Sequence, residues 1–221
     1  MSVSTHIVTP QPVRLEIADV SLSGDLGLPP DARGLVLFAH GSGSSRHSPR
    51  NRAVAEVLQH GRLATLLLDL LTEHEDLADA TTAEFRFDIP LLADRLVAAI
   101  DWAQAHAQMS SLPVGLFGAS TGAAAALMAA ARRPSVVRAV VSRGGRPDLA
   151  EGSLDVVMAP TLLIVGGRDE VVIELNKQAF ARLKEPKELQ IVPGATHLFE
   201  EPGALEAVSR LAREWFTRHL A

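Results

Sequence analysis

Val114-Gly115-Leu116-Phe117 is a short apolar run that leads directly into Gly118-Ala119-Ser120-Thr121-Gly122, and then into an alanine-rich stretch reaching Arg132. A run of this kind, bounded by turn residues, reads as a buried strand, and the alanines read as a helix. The pattern G-x-S-x-G therefore falls on a strand–turn–helix junction. Its spacing has a steric reason. A serine at the tip of so sharp a turn takes strained backbone angles, and a side chain two residues to either side would collide with it. The turn lifts the Ser120 hydroxyl above the strand end and points the N–H groups of the helix start at the same spot. The same glycines would also serve a plain turn that lets Ala124–Ala126 pack close to a sheet, so the rest of the chain has to decide.

Outward from this junction, short apolar runs recur at Leu35–Ala39, Ala64–Leu68, Ala139–Val141 and Thr161–Val165, with a more polar run at Glu188–Val192. Continuous apolar strands are what a parallel sheet requires when helices cover both of its faces. Between the runs, residues 52–59, 90–108, 122–132, 173–183 and 204–219 repeat apolar side chains at helical spacing. Pro90 and Pro202 stand where helices begin, Asp88 is placed to cap the second of these helices, and Pro134 ends the third. Residues 13–28 alternate apolar and polar and read as an antiparallel pair. This alternation predicts a doubly wound α/β sheet with an antiparallel N-terminal edge, built as a single domain over residues 1–221.

Reactive groups in such sheets collect beyond the carboxyl ends of the strands. Asp169 follows the run ending at Val165, and His197 stands in the loop after the run ending at Val192. Singly, Asp169 reads equally well as a helix cap and His197 as a solvated loop residue. Together with Ser120 they give the chain order Ser, Asp, His, each just past a parallel strand. The division of labour is that of a nucleophile, its base, and a carboxylate that orients and stabilises the imidazolium. After Leu35–Ala39 comes His40-Gly41-Ser42-Gly43-Ser44-Ser45. A glycine-rich loop beside a nucleophile can offer N–H donors to a developing oxyanion. The N–H groups of Ser42 and Thr121 are assigned to that role, with Gly43 as the alternative to Ser42, and His40 reads as a brace for the loop.

Composition excludes several other classes. With 21 Lys plus Arg against 26 Asp plus Glu, the net charge is −5, and no basic cluster suits nucleic acid. Cysteine is absent, which removes disulfides, thiolate nucleophiles and thiolate metal sites. Neither G-x-x-x-x-G-K-[ST] nor G-x-G-x-x-G occurs at the glycine-rich loop. Residues 1–16 lack a basic and apolar secretory pattern, and no apolar stretch approaches the roughly 20 residues of a membrane span. The expectation is a cytoplasmic protein, monomer or homodimer, acting on a small molecule without cofactor or metal.

The Gly118–Gly122 turn, the His40-Gly41 loop, Asp169 and His197 together resemble the α/β-hydrolase superfamily, and more narrowly its dienelactone-hydrolase-like branch. The resemblance runs over nearly the whole chain. It implies an eight-stranded, mostly parallel sheet with helices on both faces and no large lid domain. It also implies hydrolysis of small carboxylic esters or lactones without a cofactor, with Ser120 matching the nucleophile, Asp169 the acid and His197 the base. Dienelactone hydrolases proper carry a cysteine nucleophile, so Ser120 makes this site look more like that of a general carboxylesterase. A thioesterase, amidase or perhydrolase would use the same acyl-enzyme, and a non-catalytic ligand-binding protein can share the fold.

Substrate contacts are read from the remaining strand ends. Arg143 follows Ala139–Val141 and offers a guanidinium to a substrate carboxylate, or else forms a surface salt bridge or braces a loop. Leu70 and Leu198 read as apolar pocket wall. Phe85-Arg86-Phe87-Asp88 reads as a pocket edge or, through Phe85 and Phe87, as a loop anchor, and His74-Glu75-Asp76 as an exposed acidic loop without metal-ligand spacing.

Overall fold

The computed structural model describes residues 8–17 and 20–220. Residues 1–7 of the stretch read for a secretory signal, and 18 and 19 inside the first strand pair, lie outside them. Among the described residues the chain forms eight strands in one sheet: β1 Gln11–Ile17, β2 Val20–Gly27, β3 Gly34–Ala39, β4 Leu63–Leu68, β5 Val114–Ala119, β6 Val137–Arg143, β7 Thr161–Gly166 and β8 Lys187–Val192. Their order across the sheet is β1-β2-β4-β3-β5-β6-β7-β8. β1 and β2 pair antiparallel, as do β2 and β4, while every pairing from β4 onward is parallel. This is the mostly parallel α/β-hydrolase sheet with an antiparallel edge.

The central strands β3, β4, β5 and β7 are buried along their whole length, which is why they read as unbroken apolar runs. Helices α1 (Pro49–His60) and α6 (Ala204–Leu220) cover one face through Val54, Leu58, Val208, Ala212 and Phe216. Helices α3 (Ile89–Ala105), α4 (Thr121–Arg132) and α5 (Glu170–Arg182) cover the other through Leu92, Leu96, Ala124, Ala125 and Ala179. No helix among the described residues is long and apolar enough to cross a membrane.

Local signals set several boundaries. Asp88 caps α3 by accepting the N–H of Leu91 at 3.0 Å, and α4 stops at Arg132, two residues before Pro134. One segment differs from its sequence reading. His74-Glu75-Asp76 is not a loop but the first turn of α2 (Glu73–Thr82). Thr72 and Glu75 form a reciprocal capping box there, and Glu75 pairs with the buried Arg95 of α3. A short 3-10 segment, Pro147–Val156, also has no counterpart in the periodicity.

The sheet turns its winding direction at β3, whose neighbours β4 and β5 are reached by crossovers in opposite senses. In open parallel sheets that reversal opens a crevice between the carboxyl ends of the two diverging strands. Here those ends carry the His40–Ser45 loop and the Ser120 turn.

Candidate active site

Ser120 lies between β5 and α4 with φ 51° and ψ −121°, backbone angles that only tight packing holds in a residue with a side chain. The two glycines make that packing possible. A Cβ on Gly118 would stand 2.4 Å from Ala123 Cα, and one on Gly122 would stand 2.3 Å from the Ala39 carbonyl oxygen. Thus α4 crosses the ends of β5 and β3 at backbone contact. The N–H of Ser120 donates to the Arg143 carbonyl at 3.2 Å, fixing the turn to the end of β6.

His197 and Asp169 come together from the ends of β8 and β7. The imidazole Nδ1 is 2.6 Å from Asp169 Oδ2. Asp169 occupies the cap position of α5, yet its side chain makes no capping bond and is committed to the histidine. A proton on Nδ1 leaves Nε2 as the basic nitrogen. His197 is 39% exposed and Asp169 16%, so the pair sits at a rim that a small molecule can reach. Among the described residues Ser120 Oγ forms no hydrogen bond, so the link from hydroxyl to imidazole is open; such contacts commonly tighten only when substrate is present.

Ser42 and Thr121 also meet, but through a side chain. The Ser42 N–H donates to Thr121 Oγ1 at 3.0 Å. Thr121 begins α4, so its own N–H has no carbonyl within the helix to bond and is the donor left beside Ser120. For Ser42 to serve as well, the Thr121 hydroxyl must yield its N–H. Gly43, with φ +66°, occupies a turn closed by the Ser44 N–H on the Gly41 carbonyl at 3.2 Å.

His40 braces this loop. Its Nε2 accepts the Leu70 N–H at 3.1 Å, so the proton is on Nδ1 and donates to the Gly41 carbonyl at 3.0 Å. Burial pushes the His40 pKa down, against the Gly41 hydrogen bond and the nearby Asp69 and Asp76 carboxylates.

The pocket-wall residues need correction. Leu70 is fully enclosed in the core and cannot line a pocket; its backbone, not its side chain, touches the site. Leu198 is exposed next to His197 and lies at the rim. Phe85 is half-buried against the core, but Phe87 is exposed and anchors nothing. Arg143 is the last residue of β6 rather than a loop residue, and it is buried.

Of the segment 85–88, Arg86 is the residue that stands at a pocket edge. Its Nε donates to Asp79 Oδ2 and its Nη2 to the Asp79 carbonyl, both at 2.6 Å. So held, it lines a narrow cleft with Ser42, Gly43, Leu71 and Thr121. A polar cleft of about 450 Å³ shares His40, Ser44, Leu71 and Asp76 with it. No local pattern marks its partner, because Asp79 meets Arg86 only once α2 has formed.

Residues 54–219 match the model of the Dienelactone hydrolase family. The chain belongs to the dienelactone hydrolase family. It is 58% identical to a solved structure of a dienelactone hydrolase from Anabaena variabilis, with a TM-score of 0.96 over 98% of this chain and all of that one. A Mycobacterium tuberculosis protein bearing the name "Putative phosphoribosyl transferase" is 58% identical over 208 residues. The match takes in 94% of this chain but spans only 46% of that relative's length. Est1E from Butyrivibrio proteoclasticus shares the fold at 18% identity, with a TM-score of 0.78. Family and fold together give the chain the α/β-hydrolase architecture.

Proposed function

We propose that the protein is a serine hydrolase that cleaves small carboxylic esters or lactones through an acyl-enzyme on Ser120. The observation that carries this reading is a His197–Asp169 pair only 2.6 Å apart, standing past the carboxyl ends of the same parallel sheet whose β5 ends in the strained Ser120 turn. A structural serine has no need of strain, and a structural histidine no need of a carboxylate at its back.

The reaction follows from the geometry. His197 Nε2 takes the Ser120 proton as Oγ attacks the substrate carbonyl carbon. Negative charge then grows on the carbonyl oxygen, where the Thr121 N–H, and the Ser42 N–H once released by the Thr121 hydroxyl, stabilise it. Asp169 keeps the Nδ1 proton in place and balances the imidazolium. Collapse breaks the ester bond; the leaving alkoxide takes the proton from His197, and a water molecule repeats the sequence to free the acid. In a lactone the leaving alcohol stays tethered to the acyl group.

The test is turnover of p-nitrophenyl acetate and butyrate by the wild type and by Ser120→Ala, with a fluorophosphonate probe read by mass. Turnover by the wild type should fall at least about a thousandfold in the variant. The probe's mass should appear on Ser120. Equal, negligible rates across a broad panel of esters, with Ser120 unlabelled, would end this reading.

A further inference from the structure

The buried stripe of α5 has an amide at its centre. Val172, Asn176 and Ala179 are the residues this helix buries, and Asn176 is fully enclosed. An apolar side chain is the ordinary occupant of such a place, because an amide there must recover its lost hydration in hydrogen bonds. Asn176 recovers only part of it. Its Nδ2 donates to the Val172 carbonyl at 2.8 Å and to the Gly145 carbonyl at 3.0 Å, while Oδ1 has no partner. Both neighbours of the nitrogen are acceptors, which fixes the orientation of the amide. The bond to Val172 stays within α5, and the orphaned oxygen is a cost. The bond to Gly145 is therefore what a leucine or valine in this place would lack.

From Gly145 the nucleophile turn is two peptide groups away. The peptide joining Gly145 to Arg146 accepts from Asn176 through its carbonyl, and through its N–H it donates to the Ser120 carbonyl at 3.0 Å. That carbonyl belongs to the peptide joining Ser120 to Thr121, whose N–H is the oxyanion donor in the reaction proposed above. In a trans peptide the C=O and N–H point in opposite directions, so whatever holds the Ser120 carbonyl also aims the Thr121 N–H. The Ala123 N–H shares that carbonyl at 3.1 Å, and the Ser120 N–H is bound to the Arg143 carbonyl at 3.2 Å. The strained Ser120 is thus strapped through both of its backbone polar atoms to residues 143–146. Among the described residues Asn176 is the one side chain that bonds the backbone of this strap.

We propose that Asn176 is a positioning residue for the nucleophile turn, acting through the Gly145–Arg146 peptide to aim and polarise the Thr121 N–H toward the developing oxyanion. Aligned peptide groups polarise one another, so a donor at the far end of the series strengthens the N–H at the near end. The gain falls on the transition state, where the negative charge appears, and not on the bound ester. Asn176 stands about two turns into the helix at whose start Asp169 stands, so the same amide ties the acid's helix to the nucleophile turn. This role rests on the Ser120 reading above.

Asn176→Leu keeps the place filled but removes the donor, and Asn176→Ala removes it without adding bulk, so the smaller variant carries the test if the larger does not fold. Both should lower kcat/KM for p-nitrophenyl butyrate at least about tenfold per mole of folded enzyme, less than the roughly 10²–10³ expected for deleting an oxyanion donor outright. The decisive readout is a pair of competitive inhibitors. In an alkyl trifluoromethyl ketone the Ser120 oxygen adds to the carbonyl carbon and its proton passes to His197, leaving an oxyanion where the reaction would place one. Its affinity should fall in step with kcat/KM. The matching methyl ketone stays neutral and should bind all three proteins alike. Trifluoromethyl ketone binding that ignores both variants of an active enzyme would overturn the proposal, as would equal weakening of both ketones, which would mean that the amide only shapes the pocket. A lower melting temperature with rate and affinities retained would reduce Asn176 to the partner of a buried carbonyl. If the wild type hydrolyses no ester and Ser120 takes no fluorophosphonate, the serine-hydrolase reading falls and this proposal with it; if the wild type is active, only the proposal is at stake.

Discussion

His40 holds its loop only while its ring is neutral, because Nε2 must accept the Leu70 N–H. Burial lowers its pKa in the folded protein below the ordinary histidine value of 6.5. Its contribution to stability is thus fully present above that ordinary value and is lost as pH falls through the lower, folded one. His40→Gln can keep both hydrogen bonds, its amide oxygen accepting and its NH₂ donating, without titrating. Between pH 7.5 and 5.0 the wild-type Tm should therefore fall more steeply than that of His40→Gln. Parallel curves would mean that this histidine does not couple the loop to pH. The residues that sequence made legible here share a property: Ser120, Asp169, His197 and His40 each stand within five residues of the end of a predicted strand, so their position follows from local pattern. The Ser42–Thr121 bond joins residues 79 apart in the chain, and nothing near either one announces it. Leu70 is the complementary case, since an apolar residue at a strand end is equally suited to the core and to a pocket wall.

At the scale of elements, α2 has no apolar stripe to betray it, and Asp79 is its one buried residue. It is held by polar links instead. Glu75 caps its first turn and meets Arg95, while Arg95 also donates to the Leu70 carbonyl at 2.8 Å. Leu70 is the residue whose N–H reaches His40. α2, α3 and the His40–Ser45 loop are therefore tied through a single peptide segment, and helical periodicity could not reveal it. Arg95 and the Thr72 bonds hold Glu75 down at a pKa of about 2. Glu75→Gln should destabilise the protein by roughly 2–3 kcal/mol at neutral pH, somewhat less than the loss expected for a fully buried pair because Glu75 keeps partial solvent contact. The depressed pKa means that this contribution exists above the ordinary glutamate value and disappears as pH falls toward 2. Urea denaturation at pH 7 and pH 3 should show the difference between wild type and variant shrinking at the lower pH. A constant difference would place the effect in packing rather than charge.

For the whole molecule, the sheet stands between two separate apolar layers, and the chain carries one tryptophan in each. Trp102 on α3 packs against the layer that contains α4, whereas Trp215 on α6 lies in the layer that contains α1. The two layers share every central strand. Phe38 and Phe117 face the α6 side while their neighbours Leu37 and Leu116 face the α4 side. A strand cannot lose one layer and keep its pairing for the other, because adjacent side chains on it alternate between them. The site depends on the same coupling: Ser120 and the His40 loop stand on β5 and β3, and His197 precedes α6, so neither layer can loosen without moving part of the crevice. This argues that residues 8–220 unfold as one cooperative unit, despite a length at which intermediates become common. Trp102→Phe and Trp215→Phe each leave a single fluorescent reporter, and in each variant its urea transition should coincide with that of far-UV circular dichroism. A reporter that moves well before the dichroism in either variant would show that its layer opens alone, and would divide the molecule along the plane of the sheet.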